Sequence, residues 1–289
     1  MIGIVGIVVV LVLVFGGYLA AGGSMEIILK ALPFEMVMIG GAAVGGFLLA
    51  NDMATIKRTG RDIASVFRGP RWQPADYRDL LCLLFSLIWL SRQDPMKVEP
   101  HIEAPETSDI FQRYPRILAE HEAVELICDT LRSASMNYDD PHQVEEVLDK
   151  RLDANLQHAL HTSHAVRIVA DALPAIGIVA AVLGIIKTMG SIDQPPEILG
   201  AMIGGALTGT FLGVFLSYCF VGPIAERMRQ IVEDDAHFLH LIREVLVANL
   251  HAHPATICIE VGRQNTPHPH RPSFSALEEA LRDVKNAAA

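Results

Sequence analysis

Two prolines and a few polar side chains interrupt the last two long apolar stretches of this sequence. Asp171 lies about one helical turn inside the first of these stretches, and Pro174 follows three residues later. If this apolar stretch crosses a membrane, an isolated charge within it costs at least about 2.5–3.5 kcal/mol on insertion scales. Asp171 would then require a partner or a role. Pro174 lacks a backbone N–H and leaves the carbonyl of Ala170 without its helical partner. Pro223 does the same to the carbonyl of Cys219.

Helical spacing arranges these groups in two stripes. The first stripe contains Asp171, Pro174, Ile178, Ala181 and Ile185, and the second contains Ala206, Thr210, Gly213 and Ser217. If the stripes face each other or a partner, they form a narrow path with one carboxylate and two hydroxyls. The alternative is an interfacial Asp171 that reaches water, with hydroxyls bonded to their own helix backbone. Both interpretations are open at this point.

Other chemistry is not indicated. The sequence contains no phosphate-binding glycine loop, GxSxG or HExxH motif, so an enzyme is not predicted. No second acidic residue is expected deep in any span, which means that a partner would have to supply a proton relay. His158, His161 and His164 have helical spacing that could bind a metal, but a solvated helix face is favoured. Four scattered cysteines predict neither a disulfide framework nor a zinc site.

The composition predicts a membrane protein. Of 289 residues, 51% are hydrophobic and only 19% are charged, below the roughly 25% typical of soluble domains. The net charge of −10 argues against nucleic-acid binding. A bilayer core requires about 20 mainly apolar residues per helix. Four stretches lack charged residues, at 1–25, 36–51, 172–186 and 198–225. With flanking residues added to the second and third, they predict four spans, at residues 2–21, 33–51, 168–189 and 199–223.

The basic residues predict the orientation, because Lys and Arg concentrate on the cytoplasmic side of short loops. Residues 51–167 contain 14 of the 23 Lys and Arg, residues 224–289 contain 7, and only Lys30 and Lys187 remain. Both long segments and both termini are therefore expected in the cytoplasm. The predicted domains are a transmembrane hairpin at 1–51, a cytoplasmic helical domain at 52–167, a second hairpin at 168–223, and a cytoplasmic extension and tail at 224–289.

The cytoplasmic segments show helical patterns and no strand-like alternation, so the predicted fold is all-α. Residues 80–90 are almost wholly apolar but too few to span a bilayer, which favours a buried or interfacial helix over a fifth span. Residues 117–131 and 144–160 have the spacing of amphipathic helices, with Pro141 at a plausible helix start. Ser275, with Glu278 three residues later, predicts a capping box that opens a short terminal helix.

Glycines recur at four-residue spacing in two of the predicted spans. They are Gly40, Gly41, Gly45 and Gly46 in the second span, and Gly200, Gly204, Gly205, Gly209 and Gly213 in the fourth. Small residues at this spacing allow helix backbones to approach closely. Packing within one chain and packing between copies are equally compatible with the pattern.

Several sequence strings resemble the MotA family, the proton-channel stator subunit of the bacterial flagellar motor. They are "DALPAIGIVAAVLGIIKTMGSIDQPPEILG" and "IGGALTGTFLGVFLSYCFVGPIAERM" in the last two spans, "VFGGYLAAGGS" in the first, "SDIFQRYPRILAE" in the cytoplasmic domain and "RPSFSALEEALR" near the end. The resemblance implies an inner-membrane homo-oligomer in contact with lipid. It implies five such subunits around two copies of a MotB-like, peptidoglycan-binding partner, whose single span carries an essential Asp, and a ring that turns the rotor protein FliG.

The resemblance also implies roles for particular residues. Pro174 and Pro223 match the prolines that gate coupling, Thr210 matches a hydroxyl that lines the ion path, and Asp171 matches an acid at its cytoplasmic mouth. Sodium-driven relatives place Thr where this chain has Ala181. Sodium needs several oxygen ligands, whereas a proton needs a titrating carboxylate and a water chain, so the proton is favoured as coupling ion, and no cofactor is expected.

The string "LSRQDPMKVEPHIE" is similar to the family segment that contacts the rotor. It places the essential Arg and Glu of that segment at Arg92 and Glu99. The loop is about one residue shorter here, so Glu103 is an alternative to Glu99. A third charged position of the family, acidic in some members, falls near Lys150 or Arg151 in this chain.

The predicted function is therefore a stator subunit that converts proton flow into torque. A proton-driven energiser of outer-membrane processes similar to ExbB and TolQ is the alternative from the same superfamily, although ExbB-like chains have three spans. A non-conducting membrane scaffold or sensor is the third hypothesis. Loss of swimming on deletion, with flagella intact, distinguishes the first from the other two.

Overall fold

The computed structural model describes residues 2–67, 71–135 and 140–288, and within them it contains α-helices and no β-strand. The all-α prediction is confirmed for this part of the chain. The helices are α1 (Ile2–Ala20), α2 (Met25–Ala50), α3 (Met53–Ser65), α4 (Pro74–Gln93), α5 (Pro95–Glu103), α6 (Asp109–Gln112), α7 (Pro115–Leu118), α8 (His121–Ser135), α9 (Pro141–Met189), α10 (Pro196–Leu216), α11 (Gly222–Leu250), α12 (Ala255–Asn265) and α13 (Phe274–Ala288). A π-helical turn at Ser217–Val221 joins α10 to α11.

Four helices are long and apolar enough to cross a membrane, as predicted. They are α1, α2, α9 and the helix that begins with α10. α2 begins at Met25, eight residues before the predicted start of the second span. The predicted span began later because the first turns of α2 contain charged residues. Glu26 and Lys30 form an ion pair of 2.6 Å one turn apart, which allows both to remain in the helix.

α9 is one continuous helix of 49 residues. It begins at Pro141, as predicted, but it joins the amphipathic segment at 144–160 and the third span, which the sequence pattern had treated as two elements. No helix-ending residue lies between them, and Pro174 is accommodated within the helix. The segment at 117–131 is divided between α7 and α8, and α8 begins at His121.

The chain forms two compact units. One, here the span unit, comprises Met1–Gly69 and Ala159–Ile231; the other, the core unit, comprises Pro70–His158 and Val232–Ala289. The core unit is built around α4, whose leucines and isoleucine between Leu80 and Ile88 are fully buried. A helix that is apolar on all sides is stable only inside a protein or a membrane. Of the two predicted alternatives at 80–90, the structure shows the buried helix and not the interfacial one.

Aromatic contacts and helix caps complete the core unit. Trp72 stacks on Phe238 at 3.9 Å between ring centroids, and Tyr77 meets the same ring edge-on. At the C-terminal helix the predicted cap is wrong: Ser273, not Ser275, accepts the hydrogen bond from Ala276 N at 3.2 Å. α13 begins at Phe274, so Ser275 already lies within the helix.

Three of the four cysteines are packed like small apolar residues. Cys82, Cys128 and Cys258 are buried, and all four thiols are free. Burial raises the pKa of Cys82 to about 11 and that of Cys128 to about 12. Both thiols are therefore protonated and unreactive at neutral pH.

In the span unit, α9 and α10 pack backbone against backbone. A Cβ added at Gly213 would lie 2.6 Å from the carbonyl oxygen of Leu173 and 2.8 Å from the Cα of Gly177. Gly204 and Gly205 lie close to α2, at Ile27 and Ala31. A Cβ added at any glycine of α2, or at Gly200, would lie in open space, with no neighbouring group of the described chain within 4 Å. Packing within one chain therefore accounts for most of the span-four glycines and for none of those in span two.

We expect Gly213→Ala to destabilise the span unit by about 1–3 kcal/mol, because the added methyl group would overlap two backbone atoms that cannot rotate away. Thermal unfolding of the detergent-solubilised protein measures the effect. Gly200→Ala, in the same helix but with open space at the Cβ position, is the matched control and should unfold at or above the wild-type temperature. Equal unfolding temperatures for the two variants would contradict this packing.

Candidate functional site

The candidate site is centred on the proline of α9. Pro174 cannot donate to the carbonyl of Ala170, as the sequence predicted. The structure shows which group replaces it: the Ser217 hydroxyl donates to this carbonyl at 2.7 Å. Ser217 is 3% exposed. A serine of one span therefore satisfies the backbone group that the proline of another span releases.

The backbone around Ser217 is adapted to the second proline. Pro223 cannot donate to the carbonyl of Cys219, and the preceding residues form the π-helical turn Ser217–Val221. At its end the Gly222 N–H donates to the carbonyl of Ser217, five residues back. Ser217 thus donates through its side chain to α9 and accepts through its backbone within its own helix.

The two predicted stripes do not face each other as drawn. Ala206, Gly213 and Ser217 of the second stripe are buried, and Gly213 contacts α9. On α9, however, the residues in contact with α10 are Leu173, Gly177 and Ala180, one position before the predicted stripe. Ile178 and Ile185 are 54% and 44% exposed. The two helix backbones meet at Gly177 and Gly213. The spacing of apolar residues alone does not predict that glycines form the contact.

Asp171 lies on the exposed part of α9. Its side chain is 61% exposed and pairs with Arg167 one turn earlier, at 3.1 Å between Oδ1 and Nε. The carboxylate is therefore partnered within its own helix and is not buried against α10. The interfacial interpretation of Asp171 agrees with this geometry within the single chain.

The threonines of α10 differ in their hydrogen bonds. Thr208 is buried and donates to the Gly204 carbonyl of its own helix at 3.0 Å. The Thr210 hydroxyl makes no hydrogen bond within residues 2–67, 71–135 and 140–288. It is half-buried and available to a group outside this chain. Ala181 is 6% exposed.

Glu35 is an acidic residue inside a span that the sequence analysis missed. It is the eleventh residue of α2, 5% exposed, and its Oε2 has no hydrogen-bond partner in the described part of the chain. The carboxylate lies against Gly209, where an added Cβ would be 2.5 Å from Oε2. The expectation of no second acidic residue deep in any span is therefore wrong for α2. The predicted span at 33–51 places Glu35 near its end, whereas α2 begins at Met25 and has Glu35 as its eleventh residue.

The core unit contains the residues proposed to meet the rotor. Arg92 is exposed and donates twice to Asn249 Oδ1, at 3.2 and 3.0 Å. Glu103 pairs with Arg132 at 2.7 Å. Glu99 is exposed and has no hydrogen bond or ion pair with the residues that the structure describes. Of the two alternatives, Glu99 is therefore the carboxylate available to a partner.

The third charged position is already partnered. Lys150 pairs with Glu146 at 2.7 Å, and Arg151 pairs with Asp129 at 3.0 Å and with Glu125 at 3.2 Å. Arg151 connects α9 to α8. A structural role within the core unit thus accounts for its charge.

The predicted histidine run does not form a metal cluster in the structure. His158, His161 and His164 are exposed along α9, and no metal-binding group among the described residues includes them. Residues on one helix face lie a turn apart, and no other described element contributes a ligand there. The solvated-face interpretation agrees with this arrangement.

Comparison with known proteins shows the family. Residues 4–95 match the family model described as Motility protein A N-terminal, and residues 119–240 match the MotA/TolQ/ExbB proton channel family. Motility protein A of Escherichia coli (strain K12) is 39% identical over 98% of this chain and 96% of the relative. The chain belongs to the MotA family. Chemotaxis protein LafT of Vibrio parahaemolyticus is 35% identical over 96% of both chains.

Solved structures have the same fold. The MotA-family chain is similar to a chain from the structure of C. jejuni MotAB, with a TM-score of 0.71 and 17% identity over 94% of this chain and 98% of that one. The flagellar MotAB stator complex from Bacillus subtilis gives a TM-score of 0.68, with 17% identity over 96% and 98%. With four apolar spans and this family, the protein is a multi-pass membrane protein of the proton-channel type.

We expect Ser217→Ala to destabilise the span unit by about 1–3 kcal/mol, because it leaves the Ala170 carbonyl without a donor in an apolar environment. Pro174→Ala restores a backbone N–H to that carbonyl. The cost of Ser217→Ala should therefore be smaller in the Pro174→Ala background, by about 0.5–3 kcal/mol in a double-mutant cycle of thermal or chemical unfolding.

Thr208→Ala is the control for this cycle, because its hydroxyl serves a carbonyl of its own helix. Its effect should be the same with Pro174 and with Ala at that position. Strict additivity of Ser217→Ala and Pro174→Ala would show that the hydrogen bond does not replace the bond that the proline removes.

Proposed function

We propose that this chain is a stator subunit of the bacterial flagellar motor, which forms a proton channel with a MotB-like partner and converts ion flow into ring rotation and torque. The similarity to Motility protein A over nearly the whole chain carries this proposal. The named MotAB complexes among the similar structures support a partner of the MotB kind. We propose a homo-oligomer of five subunits around two such partners. FliG is the proposed rotor contact, and bilayer lipid surrounds the apolar spans.

The geometry supports Pro174 as the coupling residue. The Ala170 carbonyl is held by the single hydroxyl of Ser217, and a hydrogen bond of this kind contributes about 0.5–1.5 kcal/mol net. One proton crossing the membrane yields about 2.3 kcal/mol per 100 mV. The energy of one proton is therefore sufficient to exchange this bond. Such an exchange would give the helix two discrete arrangements, with Pro223 and the π-helical turn accommodating the shift.

Asp171 and Thr210 are the proposed polar groups of the ion path, with the transported proton bound by a carboxylate of the partner. Their surroundings support this assignment: Asp171 is 61% exposed although it pairs with Arg167, and the hydroxyl of Thr210 is unpaired within the described chain. Because Ala181 offers no oxygen ligand, a proton is preferred over sodium as the coupling ion.

The distribution of Lys and Arg supports an orientation with both termini in the cytoplasm of an inner-membrane protein. The proposed domains remain hairpins at 1–51 and 168–223, with cytoplasmic segments at 52–167 and 224–289. In this orientation Arg92 and Glu99 are cytoplasmic. We propose that these two residues contact the rotor, and that Lys150 and Arg151 stabilise the subunit itself. The subunit transports an ion and is proposed not to be an enzyme.

The decisive experiment is the swimming speed of a deletion strain complemented with this chain and its partner, recorded with a protonophore and, separately, without sodium. Loss of speed with the protonophore, and none without sodium, supports a proton-driven stator. Dependence on sodium would contradict the assignment of Ala181. Normal swimming of the uncomplemented strain would favour the ExbB-like and TolQ-like energiser or a scaffold.

We expect Pro174→Ala to reduce swimming severely while the protein accumulates in the membrane at its normal level. The Ala170 carbonyl would then accept a hydrogen bond from the backbone N–H of residue 174, and the proposed exchange of its bond with Ser217 during proton flow would be lost. Swimming speed and immunoblots of membrane fractions measure the two properties. Ala172→Ser, a polar change at a half-buried neighbouring position, is the control and should retain motility. Normal swimming of the Pro174→Ala strain would exclude the coupling role.

A further inference from the structure

Three metal-ligand side chains that are distant in sequence meet at one surface of the core unit. His142 and Glu145 lie one turn apart at the start of α9, and His251 follows the last residue of α11. His142 Nδ1 is 3.6 Å from Glu145 Oε2, and His251 Nε2 is 4.0 Å from the same oxygen. All three ligand atoms lie within 4.8 Å of one another. The two imidazole rings are 5.2 Å apart at a steep angle of 65°.

We propose that His142, Glu145 and His251 bind one divalent transition-metal ion of the Zn²⁺ class. Two imidazole nitrogens and one carboxylate oxygen are a donor set that suits Zn²⁺ and its neighbours, whereas Mg²⁺ and Ca²⁺ prefer oxygen ligands alone. Three protein ligands leave the fourth tetrahedral position to water. This inference does not depend on the proposed stator function.

The observed distances are close to those of a bound ion. Ligands about 2.0–2.2 Å from a tetrahedral zinc lie roughly 3.3–3.6 Å from one another. Two of the separations are 3.6 and 4.0 Å, so the site closes by small changes in side-chain torsion. Both histidines are exposed and their rings are free to make these changes. The same exposure gives an ion direct access from solvent.

A partly buried arginine holds the carboxylate in place. Arg243, 11% exposed, donates to Glu145 Oε1 at 2.7 Å, which leaves Oε2 directed at the two rings. The same guanidinium pairs with Asp149 at 2.8 Å and with Glu244 at 2.6 Å. Three carboxylates therefore surround one guanidinium, and their excess negative charge suits a dication. Contacts of this kind behind a ligand orient it and raise metal affinity.

The backbone also holds both histidines in place. Asp140 accepts a hydrogen bond from His142 N at 3.0 Å at the start of α9. After α11, His253 N donates to the Ala248 carbonyl and Ala252 N to the Asn249 carbonyl, an ending that places His251 at the helix cap. Ala252 has a φ of 58°, which is unusual for a residue other than glycine. A bound ion would thus link the start of one helix to the end of another.

The test is zinc binding by the full chain, purified with its partner in detergent and with an affinity tag that lacks histidine. Isothermal titration with Zn²⁺ alone should detect one site per chain. His142→Gln and His251→Gln should each weaken Zn²⁺ affinity at least about tenfold, since each removes one of three ligands. Mg²⁺ at the same concentration should not bind at this site.

The matched controls are His158→Gln and His164→Gln, which change the exposed histidines of the same helix that lack partners for a site. They should bind Zn²⁺ as wild type does. In a second measurement, Co²⁺ in place of Zn²⁺ should give the intense visible absorption of a tetrahedral site, and Glu145→Gln should lose it.

Unfolding temperatures without metal establish that each variant folds, which is expected because the changed histidines are exposed. The proposal is overturned if the His142→Gln and His251→Gln variants, once shown to be folded, bind Zn²⁺ as tightly as wild type. Equal losses in the His158→Gln control would overturn it as well.

Discussion

The hydrogen bond from the Ser217 hydroxyl to the Ala170 carbonyl satisfies a constraint that membranes impose on any proline-containing span. Inside a bilayer no water is available for a released carbonyl, so another protein group must donate to it. Pro174 creates the need, and α10 meets it across the helix contact. The hydroxyl can only reach because Gly177 and Gly213 let the two backbones approach to van der Waals contact. The glycines, the serine and the proline therefore form one arrangement.

The same contact determines which residues remain available to other molecules. α9 meets α10 through Leu173 and Gly177, whereas Ile178 and Asp171 of the same helix are exposed. Thr210 retains an unpaired hydroxyl in the described chain, while Thr208 donates to its own helix. Glu35 is buried against Gly209 at the same helix contact. Some polar groups of the span unit are thus hydrogen-bonded or buried within the chain, whereas others are available to a partner.

In the core unit, ion pairs make a similar division among charged residues. Glu103, Lys150 and Arg151 are paired within the unit, whereas Glu99 has no such partner in the described chain. A charge that is already paired must share or give up that pair when it meets a second partner, at a cost of about 0.2–1 kcal/mol for an exposed pair. The unpaired carboxylate is the better candidate for an intermolecular contact. Arg243 instead gathers three carboxylates around itself beside two histidines.

The sequence by itself determined the number of spans, the all-α class, a buried or interfacial helix at 80–90 and the release of the Ala170 carbonyl, because hydropathy and proline chemistry act locally. It also carried the family resemblance. Only the tertiary structure decided that Ser217 replaces the lost donor, that Glu35 is buried against Gly209, and that His142, Glu145 and His251 meet. These are contacts between elements distant along the chain. Their geometry depends on how helices rotate and approach, which local periodicity cannot specify to within one residue.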